Sequence, residues 1–94
     1  MRRRAIGDRI VVTRGIAEAV KEDCYFVGEI GEALLRFQQC DWGEMCDEDI
    51  NSNNEAFENV DARLFAAYNT TKDKIWIITE ADRSVTTILF PSEY

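Results

Sequence analysis

Residues 74–90, KIWIITEADRSVTTILF, contain two apolar segments separated by a short polar one. The segment 74–79 is apolar on both faces, which is typical of a central strand of a sheet. Residues 80–84 form a polar turn cluster, and the β-branched segment 85–90 ends before Pro91, which cannot continue a strand. The stretch predicts two neighbouring antiparallel strands.

Two further strands are indicated elsewhere in the chain. Hydrophobic residues alternate with a period of two over 62–68, and the polar residues 69–73 link this segment to the next one. Because the loops are short, residues 62–90 predict an antiparallel meander. The β-branched segment 9–13 predicts a fourth strand that can join the same sheet.

Three segments have hydrophobic residues at helical spacing. Thr13 is a suitable N-cap for the first helix, and Asp23 is one for the second. The third begins with three acids at the positive end of the helix and has a thin apolar side, so we expect it on the surface. The predicted fold class is α+β, with an antiparallel sheet of three to four strands (9–13, 62–68, 74–79, 85–90) and three helices (15–22, 25–39, 47–58) packed on one face.

Ninety-four residues with 46% hydrophobic content predict a single domain with one core. No apolar run approaches the roughly 20 residues that span a bilayer, and the N-terminal residues are too polar for a signal peptide. We therefore expect a cytoplasmic protein. The three cysteines, Cys24, Cys40 and Cys46, have no CxxC spacing and no histidine beside them, so we expect reduced thiols that pack in the core.

Gly28 and Gly31 fall inside the second predicted helix, where each costs about 1 kcal/mol relative to alanine. Their presence predicts close packing of that helix against a neighbour. In the last turn, Asp82 and Arg83 are adjacent, and we expect them to pair with each other.

Charge is distributed unevenly along the chain, whose net charge is −7. Residues 1–14 carry +4, whereas residues 41–61 contain eight acids and no basic residue. Such a segment repels nucleic-acid phosphates and attracts basic protein surfaces, so direct binding of DNA or RNA is disfavoured. The arginines at positions 2–4 are expected to be a solubilising arm, or to pair with the acidic face of a second copy.

Residues 47–58 place oxygen-bearing side chains at positions 1, 3, 5, 9 and 12 of a calcium-binding loop. Position 6 is Ser52, where the sharp turn of such a loop requires glycine, and position 8 is Asn54, where an apolar residue is usual. An acidic helix N-terminus is the simpler interpretation. No cofactor or metal is predicted.

The absence of histidine and of any nucleophile motif argues against an enzyme. Asp41 and Glu44 form a carboxylate pair, but solvation at the surface explains them as well. Trp76 is expected in the core. Trp42 lies among acids at the end of a helix, where it serves either as an exposed binding anchor or as a ring folded back onto the core.

Residues 74–94, KIWIITEADRSVTTILFPSEY, resemble the C-terminal signature of short bacterial proteins found on plasmids and phage-derived elements. Residues 41–44, 48–49 and 54–55 resemble the middle of those proteins, and residues 10–17 resemble their start. The bacterial proteins of this group are often labelled as type I restriction subunits. That label implies a cofactor-binding α/β domain, for which 94 residues leave no room. The resemblance implies a mobile-element context and assigns no site residue.

The leading hypothesis is a protein-binding inhibitor of a nucleic-acid-handling defence enzyme, a CRISPR effector or a restriction complex, which occupies a basic surface of that enzyme. The partner-binding residues predicted for it are Asp41, Trp42, Glu44, Asp47, Glu48, Asp49, Glu55 and Glu58. The alternative is a non-enzymatic accessory module that dimerises or docks through its sheet and the Tyr94 end. The chain is expected to be a monomer or a homodimer that binds no membrane and no nucleic acid directly.

Overall fold

The computed structural model describes residues 4–59 and 62–94, which form an α+β fold of three helices and a four-stranded sheet. The fold class is therefore confirmed. The arginines at positions 2 and 3, and Asp61 of the acidic segment, lie outside the described residues. In chain order the elements are β1 (Arg9–Val12), α1 (Arg14–Glu22), α2 (Cys24–Gln38), α3 (Asp47–Asn59), β2 (Leu64–Tyr68), β3 (Ile75–Thr79), β4 (Val85–Leu89) and a 3₁₀ turn (Pro91–Glu93).

The sheet has the strand order β1-β4-β3-β2. β2, β3 and β4 form the predicted antiparallel meander, in which Ile77 lies opposite Ala66 on one side and Ile88 on the other. β1 joins the sheet beside β4 but runs parallel to it, so the prediction of an antiparallel sheet is wrong for this pair. The direction of β1 depends on the path of the whole intervening chain, since a parallel pair requires a long crossover connection.

The hydrophobic core lies between one face of the sheet and helices α1 and α2. Ile16, Phe26 and Phe37 of the helices are fully buried in one cluster with Leu64 and Ile77 of the strands. The alternation of side chains along a strand sends every second residue of β2 and β3 towards this cluster. Burial of this helical layer is the dominant stabilising contribution to the fold.

The opposite face of the sheet carries an aromatic row. The ring of Trp76 lies 4.8 Å from that of Phe65 and 5.6 Å from that of Tyr94, centroid to centroid. Trp76 is only partly buried and Tyr94 is 71% exposed. The expectation that Trp76 belongs to the core is therefore wrong, because its strand position directs it away from the helices.

The helix ends and the glycines of α2 agree only in part with the predictions made from the sequence. Asp23 caps α2 as predicted, since its carboxylate accepts a hydrogen bond from the backbone N–H of Tyr25 at 2.9 Å. The hydroxyl of Thr13 does not cap its own helix but donates to the carboxylate of Glu93. Gly28 and Gly31 face open space, so the close packing predicted for them is wrong.

The cysteines also differ from expectation. All three are free thiols, but Cys24 and Cys46 are exposed and Cys40 is half-buried, so none is a fully buried core residue. Within residues 4–59 and 62–94, no helix is long and apolar enough to cross a membrane.

Candidate functional site

The third helix, α3, lies beside β2 and exposes a row of carboxylates on its outer side. Asn53 and Ala56 are its buried residues, and Ile50 and Phe57 are half-buried beside them. At 100° per residue, the side opposite these four contains Glu48 and Glu55, two turns apart. Four exposed carboxylates line that side and its flank, and they are called here the acidic surface: Asp47, Glu48, Glu55 and Glu58.

Two buried polar side chains fix α3 against the sheet. The amide of Asn53 donates from Nδ2 to the carbonyl of Phe65 at 2.6 Å and accepts from the N–H of Phe65 at 3.1 Å. Asn53 therefore pairs with the edge of β2 as a further strand would. The guanidinium of Arg83, 1% exposed, donates from Nη2 to the carbonyl of Ala56 at 2.9 Å.

Arg83 also joins α3 to the rest of the fold. Its Nη1 donates to the carbonyl oxygens of Ala62, Glu80 and Ala81 at 2.8 to 3.2 Å. The predicted pairing with Asp82 is wrong, because the carboxylate of Asp82 instead accepts from the N–H of Ser84. A hydrogen bond with the Ser84 hydroxyl, and then this contact with the Ser84 N–H, lowers the pKa of the Asp82 carboxyl group.

Trp42 is buried and not an exposed anchor. It is 2% exposed, its ring packs edge-on against Phe37 at 5.3 Å, and its Nε1 donates to Oδ1 of Asn54 at 2.9 Å. Of the two interpretations given by the sequence, the ring folded back onto the core is the one observed. Trp42 therefore contributes to the site by holding α3 in place.

Asp41 belongs to a separate ion pair. Arg36 contacts both of its carboxylate oxygens, at 2.8 and 3.2 Å, and this hydrogen bonding holds the pKa of Asp41 below its usual value. The guanidinium also lies 5.0 Å above the ring of Tyr68. Because Arg36 already compensates its charge, Asp41 attracts a basic surface less strongly than an unpaired carboxylate does.

The other two predicted acids also lie away from the acidic surface. Asp49 is exposed on another side of α3, where it accepts a hydrogen bond from the thiol of Cys46 and lines a depression of about 410 Å³ with Arg63 and Phe65. Glu44 is exposed in the loop before α3, and its N–H bonds to the carbonyl of Ala67.

The calcium-loop hypothesis does not fit this geometry. Residues 47–59 are helical throughout, so oxygen-bearing side chains at positions 1, 3, 5, 9 and 12 point to different sides of the helix. Among the described residues there is no group of three or more histidines, cysteines or carboxylates placed to hold a metal ion. The acidic helix N-terminus is the interpretation that agrees with the structure.

Three of the four carboxylates of the acidic surface lack a compensating ion pair within the part of the chain that the structure describes. No lysine or arginine among these residues forms an ion pair with Asp47, Glu48 or Glu55. Burial raises the pKa of the Cys40 thiol, and the negative charge of Glu58 raises it further. Fixed negative charge without a local partner is suited to contact with a basic surface.

Fold and surface together define the class of the molecule as a small α+β protein with a helix-borne acidic surface. No protein-family model, curated protein or solved structure matches the chain.

Proposed function

We propose that the protein binds a basic surface of a protein partner through the acidic surface of α3, and so inhibits a nucleic-acid-handling bacterial defence enzyme. The observation that carries the proposal is the row of exposed carboxylates at Asp47, Glu48 and Glu55, which form no ion pair among the described residues. An enzyme that holds DNA or RNA must present a basic channel, which is the complement of such a row.

The spacing of the charges supports this target. Glu48 and Glu58 are ten residues apart on α3, which corresponds to about 15 Å along the helix. Three carboxylates of the acidic surface, Glu48, Glu55 and Glu58, lie within that length, compared with about four phosphates along one strand of nucleic acid. The buried contacts of Asn53 and Arg83 hold the helix in a fixed orientation, so little ordering is required on binding.

The test compares two variants that change net charge equally. Glu48→Lys/Glu55→Lys alters the acidic surface, whereas Glu22→Lys/Glu32→Lys alters exposed positions on α1 and α2. Each tagged protein is used to capture partners from a lysate that contains CRISPR and restriction systems. The retained enzyme is then purified, and its DNA cleavage is measured with each protein added.

The wild type and the α1/α2 variant are expected to retain and inhibit the enzyme, with an association rate that falls as salt rises. The α3 variant is expected to lose both properties. Equal behaviour of the two variants would remove the acidic surface as the interface. The accessory-module alternative would then be the better account, and Tyr94→Ala, at the exposed end of the aromatic row, would test it.

A further inference from the structure

The two edges of the sheet differ in how far other parts of the chain cover their backbone groups. At the β2 edge, Asn53 occupies the backbone groups of Phe65, and the backbone of residues 42–44 bonds to Ala67 on both its N–H and its C=O. At the β1 edge, the described residues supply no such cover, and Ile10 and Val12 are 48% and 44% exposed. The β1 edge is thus an open strand edge.

The hydrogen-bonding direction of each β1 residue follows from the ladder with β4. The N–H of Arg9 donates to Ser84 at 3.2 Å, and the N–H of Thr13 donates to Ile88 at 3.1 Å. Because backbone groups alternate in direction along a strand, Ile10 and Val12 direct their N–H and C=O groups away from β4. These outward groups and the two exposed side chains belong to the same residues.

We propose that this edge pairs with the β1 edge of a second copy, antiparallel and about a two-fold axis at Val11. In that register Ile10 faces Val12 of the second copy, and the outward groups of both residues form four backbone hydrogen bonds. Ile10 and Val12 then pack on the same face of the joined sheet, once on each side of the axis. The surface is self-complementary, as an isologous dimer requires.

The flanking charges favour a second copy over an arbitrary peptide strand. The same register places Arg9 opposite the neutral Thr13 of the second copy. Asp8 directly precedes β1 and Arg14 begins α1 just after it, so these two residues of opposite charge meet at the two ends of the paired segment. The side chains of Asp8 and Arg14 are 63% and 91% exposed, and each now has only a surface partner within its own chain. Exposed pairs of this kind exchange readily, so the contacts between copies can form.

The proposal is independent of the acidic surface, because β1 and α3 lie at opposite edges of the sheet. The joined sheet has eight strands, with an acidic surface at each far end. A dimer of this form presents two equivalent binding surfaces that point in opposite directions, which permits two partner molecules to be bound at once.

The test is the molar mass of the protein in solution. It is measured by sedimentation equilibrium at protein concentrations that span a factor of about 100. The mass is expected to rise from that of the 10.8 kDa chain towards twice that value. Ile10→Pro removes an outward N–H and leaves the bonds to β4 intact, so it is expected to remain folded by circular dichroism and to stay monomeric. Should it unfold, Ile10→Lys/Val12→Lys replaces it.

A charge exchange tests the register itself. Asp8→Arg alone brings like charges together at the ends of the paired segment and is expected to weaken the dimer, whereas Asp8→Arg/Arg14→Asp is expected to restore it. A wild type that stays monomeric at every concentration overturns the proposal. A dimer that survives Ile10→Pro or Ile10→Lys/Val12→Lys, or that is not recovered by the charge exchange, overturns it as well.

Discussion

The indole Nε1 of Trp42 donates a hydrogen bond of 2.9 Å to Oδ1 of Asn54 and so joins the loop after α2 to the middle of α3. The same ring packs against Phe37 of α2. Trp42 therefore connects the core to the helix that carries the acidic surface, in addition to the contacts of Asn53 and Arg83.

Two substitutions of Trp42 distinguish the contribution of its hydrogen bond to stability from the contribution of its packing. Trp42→Phe keeps an aromatic ring but removes the donor, and is expected to lower the free energy of unfolding by about 1 kcal/mol. Trp42→Ala also leaves a cavity and is expected to cost about 3–5 kcal/mol. Urea denaturation followed by circular dichroism measures both. Equal effects of the two variants would contradict a packed role for the ring.

Arg83 is expected to be among the most sensitive positions in the chain. Arg83→Met keeps the length of the buried side chain but removes the donors to Ala56 and Ala62, and should cost about 3 kcal/mol or more. Lys74→Met, at an exposed position, is the control and should change stability by less than about 0.5 kcal/mol. Thermal unfolding of the two variants decides the matter, and similar melting temperatures would argue against the buried network.

The glycines are expected to respond in opposite directions to alanine. Gly43 has φ +78°, and a Cβ there would overlap the carbonyl of Ala67 and lie 2.6 Å from the ring of Tyr68, so Gly43→Ala is expected to be strongly destabilising. Gly28→Ala and Gly31→Ala meet open space on α2 and are each expected to stabilise by up to about 1 kcal/mol. Denaturant midpoints check the signs. A loss of stability at either α2 position would indicate packing that the structure does not contain.

Glu93 is expected to contribute to the dependence of stability on pH. The hydrogen bond from Thr13, together with those from Phe90 and Gly15, lowers the pKa of its carboxyl group in the folded state. The contribution is therefore present above the unfolded pKa of about 4.3 and is lost as pH falls through the lower folded value. Glu93→Gln should be less stable than the wild type at neutral pH.

Urea titrations across the acid range measure this effect. The difference between Glu93→Gln and the wild type should shrink as the pH falls below about 4.3, because the carboxyl group of the unfolded wild type is protonated first, and it should be lost once the folded-state group is protonated too. Glu22→Gln, exposed at the end of α1, should follow the wild type throughout. A constant difference at all pH values would show that Glu93 acts through packing and not through its charge.

Much of the fold could be predicted because its signals are local. The meander of β2, β3 and β4 follows from apolar segments joined by short polar turns, and the observed strands begin and end within two residues of the predicted ones. The three helices follow from hydrophobic spacing and from acids at a positive helix end. The parallel direction of β1 could not be predicted, because it depends on a contact between the two ends of the chain.

The sequence by itself determined the element order, the α+β class and the concentration of negative charge between residues 41 and 61. Only the tertiary structure decided which charges are exposed without an ion pair: Arg36 compensates Asp41, α3 turns Asp49 towards a depression, and Trp42 enters the core. It also decided that Arg83 is buried beneath α3 and that β1 has an open edge. The physical reason is that charge and periodicity are properties of neighbouring residues, whereas burial and ion pairing depend on residues brought together from distant parts of the chain.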